Sequence, residues 1–245
     1  MFLVALTSLA TSIEQEATAL AADVGQTAYE VRLLLADDPP CIVLRTPDRE
    51  RAVALLATLR GRGHGVVACE AARVAAFSDM TEIDGISADG DGLRSGDDVL
   101  AWSDVVAIVR FTVRKTWQTT RKETKREMAV GMAIATGGVI LSKKVTKEHT
   151  ERHEGREQFV CVFRRGGPAW IASENGVDYG SLPGGIGRTA TENFERFVEV
   201  LRTRSTAPYD DRFLRSNRPA NDRAVVRLLE ERVHVLALSL ARGQA

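Results

Sequence analysis

Cys41-Ile42-Val43-Leu44-Arg45-Thr46-Pro47-Asp48-Arg49-Glu50-Arg51-Ala52-Val53-Ala54-Leu55-Leu56-Ala57-Thr58-Leu59 runs from an apolar block into a helical pattern, and Val66-Val67-Ala68-Cys69 follows it. The first four residues read as a buried strand. Thr46-Pro47-Asp48 reads as a helix start, with Thr as the N-cap, Pro at the first helical position and an acid in the first turn. Val53, Leu55, Leu56 and Leu59 give that helix its apolar side. Gly61 and Gly63 can end it, and 66–69 is the next strand. His64, between Gly63 and Gly65, is either a ligand or switch residue or, more plainly, a turn residue after the helix.

The upstream residues complete a small domain. Residues 2–7 read as a strand. Ser12 to Ala22 has helical composition, with Ile13, Ala17 and Leu20 near helical spacing, and Gly25 breaks it. A second helix runs from about Thr27 to Leu35 and stops at Asp37-Asp38-Pro39-Pro40. The order is β-α-α-β-α-β. In Gly25-Gln26-Thr27-Ala28-Tyr29-Glu30, Pro40-Cys41-Ile42-Val43 and Asp48 to Leu59 with Gly63 and Val66-Val67, this domain resembles the C-terminal domain of the large-subunit ribosomal stalk protein, whose fold the Clp-type protease adaptors share. The resemblance covers about residues 1–75 and implies a domain that binds protein partners. Stalk domains catch translation factors through a lysine-bearing helical surface. Residues 1–76 contain no lysine, so that activity does not carry over.

Beyond residue 80 the rhythm changes. Thr81 to Ile86 alternates, and Gly90-Asp91-Gly92 and Ser95-Gly96-Asp97-Asp98 are turn clusters. Strands are expected at 98–101 and 104–113, along 116–127 and 155–165, and at 169–173 and 177–182. Thr189-Ala190-Thr191-Glu192 has capping-box spacing, and Phe194, Phe197, Val198 and Leu201 form the stripe of the helix it starts. With Leu100-Ala101-Trp102-Ser103-Asp104-Val105 as a local signature, residues 80–206 resemble a bacterial PH-like domain of the GRAM type. That implies an antiparallel β-barrel or sandwich with a C-terminal helix, serving as a scaffold for lipid headgroups, peptides or protein surfaces. Trp102 reads equally as core. The fold class expected for the whole chain is α+β.

The net charge is zero, yet residues 1–108 carry 17 Asp/Glu against 8 Arg, and 109–245 carry the opposite excess. All six lysines lie between Lys115 and Lys147. Lys115, Lys122 and Lys125 precede an uncharged stretch, Met128–Leu141, and Lys143, Lys144 and Lys147 follow it. Residues 115–153 therefore read as an insertion in the PH-like domain: cationic arms bracketing an apolar tip of Met128, Met132, Ile134, Val139, Ile140 and Leu141. Three readings stay open. The tip covers a barrel end or sheet face, or it is an oligomer or partner surface. Alternatively it dips into a membrane whose anionic headgroups attract the lysines. Its fourteen residues are too few to span a bilayer as a helix.

Residues 207–245 read as a polar, Arg-rich linker over 209–221 and then a helix, with Val225, Leu228, Leu229, Val233, Leu236 and Leu240 at helical intervals. That helix packs back on the chain or zips to a second copy, and His234 reads as a surface or edge residue in it. Cys41, Cys69 and Cys161 are widely spaced, which argues against a disulfide framework or zinc site and for free thiols in a reducing compartment. The apolar N-terminus lacks a basic n-region, which argues against a signal peptide. A cytoplasmic location is expected, with peripheral contact at the inner membrane face.

Other chemistry finds little support. His149 and His153 share a face and, with Glu148 or Glu154, could start a metal site, but no third His or Cys is placed for it. Gly184-Gly185-Ile186-Gly187-Arg188-Thr189 lacks the spacing and lysine of a P-loop, though its amides could take an anion. Phe111 and Trp117 near the basic cluster could stack bases, but the acidic first half opposes nucleic acid. No GxSxG, HExxH, CxxC or paired-carboxylate motif occurs. No cofactor or catalytic residue is expected. The reading is a non-enzymatic adaptor or scaffold. Its first domain binds a protein partner, and residues 115–147 contact a membrane or an assembly surface. The alternatives are self-assembly through the apolar tip and C-terminal helix, and an undetected enzyme.

Overall fold

In the computed structural model, residues 1–37, 39–88, 90–128, 142–182, 185–215 and 222–243 are described, with backbone alone for 115–128 and 142–154. β1 (Phe2–Ser8) is the middle strand of an antiparallel sheet between β2 (Cys41–Thr46) and β3 (Gly65–Glu70). α1 (Ile13–Val24), α2 (Ala28–Leu35) and α3 (Arg49–Gly61) complete the expected β-α-α-β-α-β order. Ser12 with Gln15, and Thr27 with Glu30, form capping boxes at the starts of α1 and α2. Gly25, at φ 75°, takes the left-handed position that ends α1.

The start of α3 corrects the sequence reading. Its N-cap is Asp48, not Thr46. The Asp48 carboxylate accepts from the backbone N–H of Glu50 at 2.8 Å and of Arg51 at 3.1 Å. Thr46 Oγ1 instead accepts from the Asp48 N–H at 3.1 Å, one step outside the helix. A carboxylate at the first turn also meets the positive end of the helix dipole, which a hydroxyl does not exploit. Asp48→Ala is expected to lower the unfolding free energy by about 1 kcal/mol, and Thr46→Val by less. Urea titration of both variants checks the ranking; the reverse order would return the cap to Thr46.

The second sheet has five strands in the order β11-β8-β9-β10-β4. They are β4 (Thr81–Glu82), β8 (Val105–Met128), β9 (Ser142–Arg164), β10 (Trp170–Ser173) and β11 (Tyr209–Phe213). A separate antiparallel sheet comprises β5 (Ser87–Ala88), β6 (Gly92–Ser95) and β7 (Asp98–Ala101). α4 (Ala190–Arg204) and α5 (Arg223–Ala241) are the remaining helices of the described residues.

This arrangement is α+β as expected, but it is not an antiparallel barrel. No closed barrel forms among the described residues, and both edge strands run parallel to their neighbours, β4 to β10 and β11 to β8. A parallel neighbour needs a long crossover. β11 joins β8 only after the chain has passed through α4. Two expected strands are also reduced. Residues 81–86 pair as a strand only at Thr81–Glu82, and 177–182 retain a single bridge, Asp178 to Gly85.

The expected linker after residue 207 contains β11. Its polar composition is accommodated by pairing. Arg212 forms an ion pair with Asp210 at 2.7 Å and donates to the carbonyls of Thr7 at 3.3 Å and Pro39 at 3.2 Å. The strand is thus fastened to β8 through its backbone and to the first sheet region through one guanidinium.

Strand alternation divides the core. Leu6, Val43 and Val66 face α1–α3, where they meet Leu20, Leu35, Leu55 and Leu59. Leu3, Ala5, Ile42 and Val67, on the opposite face, meet Val235 of α5. In the second sheet, Val109, Phe111, Cys161 and Ile171 meet Leu229, Val233, Leu236 and Ala237 of α5. Ile108, Val160, Val162 and Trp170 turn the other way, toward Phe194, Phe197, Val198 and Leu201 of α4. The period of two along each strand accounts for this division. The layers are α1–α3, first sheet, α5, second sheet, α4. Trp102 lies in the α4-side core and is 7% exposed.

α5 is therefore an internal layer, which decides between the two readings of the C-terminal helix. Its apolar residues are consumed within the chain, and a helix apolar on opposite sides belongs in an interior. Its charges are matched from outside the helix. Arg45 grips Glu231 with both guanidinium arms, and the Phe77 N–H donates to Glu230 at 2.8 Å. Arg232 lies 5.1 Å from the centre of the Phe213 ring and 3.5 Å from Asp37.

Candidate functional site

By its contacts the chain divides into two units, Met1–Val113 with Glu157–Ala245, and Arg114–Arg156. The second is formed by the outer parts of β8 and β9. These strands run 24 and 23 residues, against about 5–6 for an ordinary strand. What the sequence suggested was an insertion is, over its arms, a continuation of two neighbouring sheet strands. Lys115, Lys122, Lys125 and Met128 lie along β8; Lys143, Lys144 and Lys147 lie along β9. The structure brings both cationic arms into one sheet. The tip residues Met132, Ile134, Val139, Ile140 and Leu141 fall outside the described residues.

The remaining sequence candidates resolve as follows. His64 is buried in the turn after α3. Its Nδ1 accepts from the Ala10 N–H at 3.0 Å, which places the ring proton on Nε2. Nε2 stands 2.8 Å from Glu16, off the direction of a well-formed hydrogen bond. Arg62 joins Glu16 at 2.8 Å and Asp23 at 2.6 Å. The group ties the β1–α1 turn to the end of α3. His149 and His153 lie on β9 with undescribed side chains. Among the described residues no three His, Cys, Asp or Glu side chains gather as a metal site.

In the glycine loop before α4, the amides of Gly187 and Arg188 are already engaged within the chain. The Gly187 N–H donates to Asn193, the Arg188 N–H to Glu192 at 2.9 Å, and the Glu192 N–H to Thr189 at 3.1 Å. Thr189 caps the Glu192 N–H, and the capping box is only half formed because Glu192 turns to Arg188. The Cys161 and Cys69 thiols are poor nucleophiles. Burial pushes Cys161 far above the usual range, and burial together with the Glu231 charge raises Cys69.

Two polar clusters fasten α4 to the second sheet. Arg110, 5% exposed, hydrogen-bonds Glu195 and Gln158 and lies 5.5 Å from the centre of the Phe194 ring. Its hydrogen bonds hold the Glu195 carboxyl below the usual range. Beside it, Glu174 accepts from Thr191 and from the Gln158 N–H, while its carbonyl accepts from the Tyr179 hydroxyl at 2.7 Å. Burial, then the charges of Glu174 and Glu157, push the Tyr179 phenol upward. These oxygens are taken up in holding the helix.

A cleft of about 260 Å³ opens between the second sheet and α5. Val106, Phe163, Ala169, Ala237 and Leu238 form apolar walls, and Arg73, Arg164 and His234 are its cationic or titratable groups. The His234 ring meets Phe163 edge-on at 5.8 Å, and burial, then the Arg227 charge, hold its imidazole below the usual value. His234 Nδ1 and Arg164 Nε are both buried without a hydrogen-bond partner among the described residues. Such orphaned groups each cost about 1–3 kcal/mol unless something satisfies them. Sequence reading placed His234 at a surface or edge and overlooked the two arginines. Nothing in the sequence signals the set, because its members come from positions 73, 164 and 234.

Comparison with known protein families, curated proteins and solved structures finds no match to this chain. Among the described residues, no helix is long and apolar enough to cross a membrane.

Proposed function

We propose that the chain is a non-enzymatic adaptor whose two-stranded basic arm contacts an anionic membrane surface, in the cytoplasm at the inner face. The observation that carries this reading is the separate Arg114–Arg156 unit, built by two neighbouring strands and holding every lysine of the chain. Its arms bracket an uncharged apolar stretch, so electrostatic attraction and shallow apolar insertion would act at the same place. The stalk-like first region would take a protein partner. There, Tyr29 and Leu33 lie one turn apart on α2 and are 66% and 58% exposed.

Vesicle flotation tests this. Wild type is expected to float with anionic vesicles, less so as salt rises, and not with neutral ones. The variant Met132→Ser, Ile134→Ser, Val139→Ser, Ile140→Ser is expected to stay folded and lose most flotation. Folded wild type that ignores both vesicle types would end the membrane reading. An accompanying salt-insensitive rise in mass by light scattering would put self-assembly through the tip in its place. α5 is already committed inside the chain, so the tip alone would carry that assembly.

A further inference from the structure

We infer that the cleft between the second sheet and α5 is a binding site for a small apolar carboxylate, such as an aromatic or short aliphatic acid. This site is independent of the arm. The walls are apolar, and the polar groups at the cleft are two guanidinium groups and one imidazole. Neither Arg73 nor Arg164 forms an ion pair or hydrogen bond through its side chain with a described residue. Arg73 is exposed and Arg164 half-buried, and two guanidiniums without an ion-pair partner among the described residues, at one apolar cleft, complement an anion supplied from outside. The fork of an arginine suits the two oxygens of a carboxylate.

The Arg164 guanidinium is set in place from two sides. It lies 6.0 Å from the centre of the Trp170 ring. On the other side it rests over Gly167, where a Cβ would stand 2.6 Å from Nε and 2.9 Å from Cζ. The absence of a side chain at residue 167 leaves room for the guanidinium. His234 Nδ1 offers one further polar contact, and the Phe163 ring that meets the imidazole offers an apolar face to the body of the guest. The volume, about 260 Å³, lies below the ~300–1,000 Å³ of most ligand sites. It excludes long acyl chains and nucleotides, and the apolar walls disfavour inorganic anions.

The test is calorimetric titration of the full chain with benzoate, benzamide and inorganic phosphate, alongside the His234 ring signals by NMR. Saturable 1:1 binding of benzoate that shifts the His234 signals is expected, with benzamide at least about tenfold weaker and phosphate unbound. Arg164→Gln and Gly167→Ala are each expected to weaken benzoate about tenfold. The first removes the charge; the second keeps it and displaces it. Melting curves establish that both are folded, and the NMR shift needs no variant at all. Absence of saturable benzoate binding, equal affinity for benzamide, or undiminished affinity in a folded Arg73→Gln, Arg164→Gln double variant would overturn the assignment.

Discussion

Leu236→Asp is expected to abolish the cooperative unfolding transition, leaving a chain with secondary structure but no fixed side-chain packing. Leu236 is fully buried, on the side of α5 that meets the second sheet, one position from Val235, which meets the first. The cluster that Leu236 joins is built of apolar side chains from the second sheet and α5. Simple truncation to Ala at such a site costs about 2–5 kcal/mol. An unpaired buried charge adds several more, against a total stability of about 5–15 kcal/mol. The loss reaches both halves of the body because one helix serves as the wall of two cores. Val99→Asp, at a position 48% exposed on β7, is the matched control and is expected to change stability by no more than about 0.5 kcal/mol. Near-ultraviolet circular dichroism and a thermal scan measure both. A Leu236→Asp protein that melts like wild type would mean that α5 does not hold the sheets together.

Replacing all six lysines by Gln is expected to weaken binding to anionic vesicles by about a hundredfold or more. A lysine near an anionic surface contributes about 1 kcal/mol. If only half of the six engage, the sum is about 3 kcal/mol, or roughly two decades in affinity. Replacement of the same residues by Arg keeps the charge and is expected to keep the binding. Melting behaviour of the body should not change, since every lysine lies in the Arg114–Arg156 unit. Equal binding by the Gln and Arg variants, each measured by flotation at low and high salt, would remove electrostatics from the account.

The parts of the fold that were legible in the sequence carry their own local signals. Ile13, Ala17 and Leu20 before Gly25 announce α1, the Asp37–Pro40 stop bounds α2, and the Thr189–Glu192 spacing with the Phe194–Leu201 stripe announces α4. The β-α-α-β-α-β order follows from such signals alone. What was illegible depends on distant partners. Glu230-Glu231-Arg232 in α5 carry no local signal of burial, yet these residues are buried because Arg45, the Phe77 N–H, Asp37 and the Phe213 ring come to meet them. β11 looks like a linker until Arg212 is seen to pair with Asp210 and reach the Thr7 and Pro39 carbonyls. Alternation over Thr81–Ile86 was legible, but not that only Thr81–Glu82 would pair, at an edge of the second sheet. The parallel pairing of the edge strands, which keeps the sheet from being a simple antiparallel barrel, is set by crossovers that no local pattern encodes. Of the basic arms, 116–127 was legible as a strand, whereas the extension of β9 back to Ser142 was legible only as composition.

The measurement that bears most directly on the adaptor reading compares the full chain with one in which Arg114–Arg156 is replaced by a short Gly-containing turn, in the same anionic-vesicle flotation. Residues 1–113 and 157–245 form one unit by their own contacts, so the shortened chain is expected to fold and to melt cooperatively. The account predicts that the full chain floats and the shortened chain stays in solution. Flotation of the folded, shortened chain to the same extent as the full one would contradict it, because the membrane contact would then belong to the layered body and not to the arm.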